Sequence, residues 1–188
     1  MLNAFRQQLK QLAMDPRDPY NAILRRLAGP RSAVQYESPL RQMILALPDM
    51  ARQVHAWSEE PTQPRTLRQM NSFLLRYMYH PDDFLSDNNL GFFGYLDDAY
   101  IVASVYQRVL SDGDKVGLTP MPEDAALAKS IPEWIALVRA LLPQESQKMD
   151  QLLNEVKYHR ENNFSEVIRR SAKSSVVARK LEKGMNRK

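Results

Sequence analysis

The chain has 188 residues, 44% of them apolar, with 26 Lys/Arg against 22 Asp/Glu and no cysteine. That length favours one domain with a core of its own, and the missing cysteine excludes disulfides, thiol nucleophiles and thiolate metal sites together. The most apolar stretch, Ala99 to Gln107, lies between Asp98 and Arg108 and falls far short of the ~20 residues a spanning helix needs. The opening Met1-Leu2-Asn3-Ala4-Phe5-Arg6 lacks the apolar run and small-residue cleavage site of a signal peptide. A soluble, cytoplasmic protein is the expectation.

Helical periodicity then runs along the chain. Leu2, Phe5, Leu9 and Leu12 share one face, and Asp15-Pro16-Arg17-Asp18-Pro19 breaks it. Tyr20, Ile23, Leu24 and Leu27 make a second short face, ended by Gly29-Pro30. Ser38-Pro39 has the form of an N-cap followed by proline at the first helical position, with Leu40, Met43, Ile44 and Leu47 beyond it. Pro48 either kinks that helix or starts another carrying Met50, Val54 and Trp57. Residues 58–65 read as a loop, Thr66 as a cap, and Leu67, Met70, Phe73, Leu74, Tyr77 and Met78 as the next apolar face. His80 to Phe93 reads as a long loop and Tyr95 to Leu110 as a central helix, apolar nearly all round. A loop from Ser111 to Pro122 precedes a helix from Ser130 to Leu142, which Pro143 ends, and Met149, Leu152, Leu153 and Val156 mark one more. The expected fold is an all-α, compact bundle of seven to nine helices, a single domain over 1–188 with its central helix at 95–110.

Charge is distributed unevenly. From Tyr77 to Gln107 there are five Asp and no Lys or Arg, whereas residues 157–188 hold ten Lys/Arg against three Glu. The acidic stretch is the best candidate for chemistry. Asp83 and Asp87 are four apart and would share a face on a helical turn; Asp97 and Asp98 open the central helix. Were Asp83, Asp87, Asp97 and Asp98 to converge, they could hold a divalent cation such as Mg²⁺, Mn²⁺ or Ca²⁺. The plainer reading is structural, since acidic residues in a first turn satisfy free N–H groups and complement the helix dipole, for ~0.3–1 kcal/mol each. As a contact surface for a protein partner, the same stretch would present Asp82, Asp83, Asp87, Tyr95, Asp97 and Asp98.

Pro81, Asp83 and Asp87, followed by Gly94-Tyr95-Leu96-Asp97-Asp98 and an apolar helix, resemble the signature of the YkvA-like domain, a small bacterial helical domain of unknown function. The resemblance covers about residues 67–110. Ser86 and Leu90 stand where that signature has prolines, and the intervening loop is one residue longer. The resemblance implies a helical fold, often near a membrane, and no established activity.

Asp112, Asp114, Gly117 and Glu123 fill positions one, three, six and twelve of a calcium-loop pattern. Val116 offers no oxygen at position five, and Pro120 and Pro122 interrupt the loop, so an ordinary Asp/Gly turn is expected. In the basic tail, Arg169, Arg170, Lys173, Arg179, Lys180 and Lys183 form an anion-binding candidate, suited to nucleic acid or an anionic membrane surface. A solvated helix end is the alternative. His55, His80 and His159 are too scattered for a metal site or dyad, Trp57 and Trp134 sit at core spacing, and no phosphate-binding Gly loop or His-Glu-x-x-His occurs. The sequence thus points to a non-enzymatic interaction or regulatory module, with a metal-dependent enzyme and a nucleic-acid or lipid binder as alternatives.

Overall fold

The computed structural model describes residues 2–61, 63–80, 84–85, 90–113 and 124–156. Seven α-helices carry nearly all of them: α1 (Leu2–Met14), α2 (Tyr20–Ala28), α3 (Pro30–Glu59), α4 (Arg65–Tyr77), α5 (Leu96–Gly113), α6 (Ala125–Leu141) and α7 (Pro143–Val156). A 3₁₀ turn, Gly91–Tyr95, leads into α5. The chain folds as an all-α bundle, with no strand among the described residues. No described helix is long and apolar enough to cross a membrane.

α3 is the spine. Its 30 residues extend roughly 45 Å at 1.5 Å per residue, and α1, α2, α4, α5 and α6 all pack against it. Ser38-Pro39 therefore does not start a helix, and Pro48 does not start a second one. The helix begins at Pro30, directly after Gly29 at φ 80°, and runs through both internal prolines. Each proline removes one N–H from the ladder. At Pro39 the carbonyl left without its helical partner belongs to Gln35, which is exposed, so water can satisfy it. The inward face, from Leu40 through Met43, Ile44, Leu47 and Met50 to Val54, is wholly buried.

α5 lies across this spine as the buried centre, also touching α4, α6 and α7. It is shifted slightly from its expected span: Tyr95 belongs to the 3₁₀ turn, and the helix continues to Gly113. Ala99 to Ala103 have no exposed surface, as a helix apolar on all sides requires. α4 shows the opposite pattern. Leu67, Met70, Phe73, Leu74 and Tyr77 face inward while Arg65, Arg68 and Arg76 stay outside. It starts at Arg65 after Pro64, with no side-chain cap, so Thr66 does not cap it. α6 begins five residues earlier than its apolar pattern indicates and carries Pro132 inside it. Pro143, after the break at Leu142, opens α7.

The segment between α4 and α5 departs most from expectation. Among the described residues of His80–Phe93, Phe84, Leu85, Leu90, Phe92 and Phe93 are core, with no exposure at all, while His80 and Gly91 are partly buried. Its Asp and Asn content masks five large apolar side chains spaced without helical or strand period. Most of the calcium-like pattern lies outside the described residues; Asp112 and Gly113 end α5.

Candidate functional site

The acidic stretch is built around Asp97, whose side chain is completely buried in the first turn of α5. Its Oδ2 accepts from the Tyr77 hydroxyl at 2.7 Å, from the Phe84 N–H at 3.0 Å and from the Leu85 N–H at 3.1 Å. One carboxylate oxygen thus ties the end of α4, the 84–85 segment and the start of α5 together. Burial pushes the Asp97 carboxyl up to about 7; the Tyr77 hydroxyl and the N–H groups of Leu85, Asp98 and Asp97 itself pull the other way. Asp98 is equally buried.

This arrangement bears on each expected role. An oxygen already surrounded by three N–H and O–H donors presents them, and not a lone pair, to anything that approaches. That donor set makes Oδ2 a structural acceptor, while Oδ1 of the same carboxyl has no hydrogen-bond partner among the described residues. Asp82, Asp83 and Asp87 lie outside the described residues. Among the described residues no three His, Asp or Glu side chains gather as a cation would need. Tyr95, expected on a contact surface, is turned inward. Its hydroxyl accepts from Gln8 Nε2 at 2.9 Å, and its ring meets Phe5 edge-on at 5.7 Å. Tyr95, Asp97 and Asp98 are thus interior residues, and a partner could reach them only by opening the fold.

A second polar anchor lies at the end of the segment between α4 and α5. Asp18 accepts from the Tyr20 N–H at 2.9 Å through Oδ1 and from the Phe92 N–H at 2.7 Å through Oδ2. Gly91, at φ 59°, lets the backbone come this close; a Cβ there would run into Asp18 Oδ2 and Pro19 Cδ. The Arg41 guanidinium sits over the rings of Tyr20 and Phe92 at 4.8 and 5.6 Å and donates to the Ala13 carbonyl at 2.6 Å.

A third anchor ties α3 to the start of α6. Arg52 reaches the nearly buried Asp124 at 3.2 Å. The Gln53 amide, turned with its nitrogen toward Asp124 Oδ2 (2.8 Å), accepts from Trp57 Nε1 (3.1 Å). Trp57 packs on Tyr106 with ring centroids 4.7 Å apart.

Polar side chains converge on the surface in one place that the sequence reading did not single out, between α5, α6 and α7. Arg139 donates through Nε to the Tyr100 hydroxyl at 3.0 Å and through Nη2 to Asp150 Oδ2 at 3.0 Å, while Tyr100 donates to Asp150 Oδ1 at 3.1 Å. Nearby, Arg108 donates to Asn154 Oδ1 at 3.1 Å. Arg108, Arg139, Asp150 and Asn154 border a hollow of about 330 Å³, shared with Ser104, Gln107 and Ser111, with Tyr100 buried behind it. Ser104 is 4% exposed, and its hydroxyl has no hydrogen-bond partner among the described residues. Burial pushes the Tyr100 hydroxyl up against the pull of Arg139, so it stays protonated and serves as a relay between the two charges. A signal for this site exists in the sequence. Tyr100, Ser104, Gln107, Arg108 and Ser111 recur at helical spacing, a polar stripe on an otherwise apolar helix.

Comparison of the chain with protein-family models, with curated proteins and with solved structures finds no match. The basic-tail candidates Arg169, Arg170, Lys173, Arg179, Lys180 and Lys183 lie outside the described residues.

Proposed function

We propose that the chain is a non-enzymatic helical binding or regulatory module, and that its acidic segment is an internal clamp and not a catalytic or metal centre. The observation that carries this reading is the triple donation to Asp97 Oδ2. A carboxylate oxygen committed to three internal donors is an architectural part, comparable to a helix cap extended across two chain segments. The YkvA-like resemblance over residues 67–110 implies a helical domain and names no activity. Partner contact then falls to surfaces outside the clamp.

Melting the protein with a chelator, and then with millimolar Mg²⁺, Mn²⁺ or Ca²⁺, tests the reading. No change in Tm is expected. A cation at a hundred times its Kd would add ~2.7 kcal/mol, or roughly 5–10 °C for a chain of this size. A rise of that size, lost in Asp97→Asn/Asp98→Asn, would restore the metal-dependent enzyme.

The basic tail is a second candidate, suited to an anionic partner by charge alone. Residues 157–188 sum to +7 in a chain whose total is +4. Binding of the full chain to duplex DNA or to anionic vesicles is expected to weaken steeply as salt rises. Affinity independent of salt would remove the tail from consideration.

A further inference from the structure

The hollow between α5, α6 and α7 has the chemistry of a ligand site. Three helices contribute to it, and its polar groups come in two kinds. Arg139, Asp150 and Tyr100 form a closed triangle, each bonded to the other two. That triangle fixes the guanidinium plane of Arg139. Arg108 is held separately by Asn154. The two guanidiniums outweigh the one carboxylate, so the rim carries net positive charge. Arg is the side chain best suited to gripping an oxyanion, because its planar fork matches two oxygens at once.

The Ser104 hydroxyl is the observation that turns a polar surface into a candidate site. The residue is nine-tenths buried and borders the hollow, and its hydroxyl is buried with no partner among the described residues. A buried hydroxyl without a partner carries a desolvation cost that a bound acceptor would remove. Ser104 stands one helical turn from both Tyr100 and Arg108, so an acceptor that it reaches lies between the groups fixing the two arginines. A volume of about 330 Å³ is at the lower end of the ~300–1,000 Å³ range for small-molecule clefts.

We infer that this hollow binds a small, hydroxylated oxyanion, a phosphate monoester or a hydroxycarboxylate, with Arg108 and Arg139 on the charged group and Ser104 on an oxygen of the ligand. The inference rests on the binding-module reading and names the chemistry of its ligand. Asp150 stays paired with Arg139 and Tyr100, which limits its repulsion of the bound anion.

Isothermal titration of the full chain with glycerol 3-phosphate, malate and inorganic phosphate tests this, with glycerol as the uncharged control. Saturable binding of at least one anion in the millimolar range or tighter is expected, and none of glycerol. Preference between glycerol 3-phosphate and malate decides which oxyanion the site takes. Arg108→Gln and Arg139→Gln should each weaken binding about tenfold, and Ser104→Ala several-fold, with Tm close to that of the parent. No saturable binding by any of the three anions, or binding that all three variants retain in full, would overturn the proposal. Either result with Tm indifferent to divalent cations leaves the binding-module reading in place. A large cation-dependent rise in Tm removes that reading whatever the anions do.

Discussion

Replacing Asp97 with alanine is expected to destabilise the protein by about 3 kcal/mol or more, a fall in Tm of roughly 6–12 °C. Three donors lose their acceptor in a place water does not reach: the Tyr77 hydroxyl and the Phe84 and Leu85 N–H groups. Each such orphan costs ~1–3 kcal/mol. Asp97→Asn keeps an acceptor oxygen in position and should cost far less. The two variants thus separate loss of the acceptor from loss of the charge. Equal destabilisation by both, in urea titrations near pH 8 where the native carboxyl is ionised, would mean that the carboxylate charge and not the three bonds holds the segment.

The asparagine variant also isolates a pH effect. Burial raises the Asp97 carboxyl from 3.8 to about 7 in the folded protein, so between those values the native state binds a proton that the unfolded state has released. Stability therefore falls as pH rises from about 4 to 7 and is flat, for this group, outside that window. Wild type should lose stability relative to Asp97→Asn across that range. A difference between the two proteins that is constant from pH 4 to 8 would show that the carboxyl titrates normally, and one that grows in favour of wild type would show that folding lowers its pKa.

The second large effect is expected at Gly91. Alanine there meets two penalties together. A positive φ disfavours any side chain, by about 1–2 kcal/mol, and the added methyl group would occupy the space of Asp18 Oδ2. Relieving that clash moves Asp18 off the Phe92 N–H, which is then left without its acceptor. A loss of about 2–5 kcal/mol is expected in all. Asp18→Ala removes the clashing oxygen, so the double variant should be less destabilised than the sum of the two single changes. Strict additivity would place the cost in the backbone alone.

Much of the bundle is legible in the sequence because amphipathic faces are local. The Leu67–Tyr77 face and the all-round apolarity of Ala99–Val105 depend on spacing alone, and both elements form close to where that spacing puts them. Misreadings arise where a local rule meets a tertiary one. Ser38-Pro39 carries a helix-start pattern, but the buried stripe of α3 runs on both sides of it, and an exposed Gln35 makes the missing N–H tolerable. Asp97 and Asp98 look like surface charge because nothing in their spacing announces that Tyr77 and two N–H groups, twelve to twenty residues earlier, will surround Asp97. The polar stripe on α5 was readable, yet the partners that give it meaning, Arg139 and Asp150, stand on separate helices.

The length of α3 has a consequence for cooperativity. Five helices use this one as their wall, so no line through the bundle separates two halves that could each keep a core. Fraying at the ends of α1 or α7 can stay local. A disturbance that melts the middle of α3, around Ile44 and Leu47, exposes the inner faces of its neighbours at once. The bundle is therefore built to lose its structure as a unit and not helix by helix.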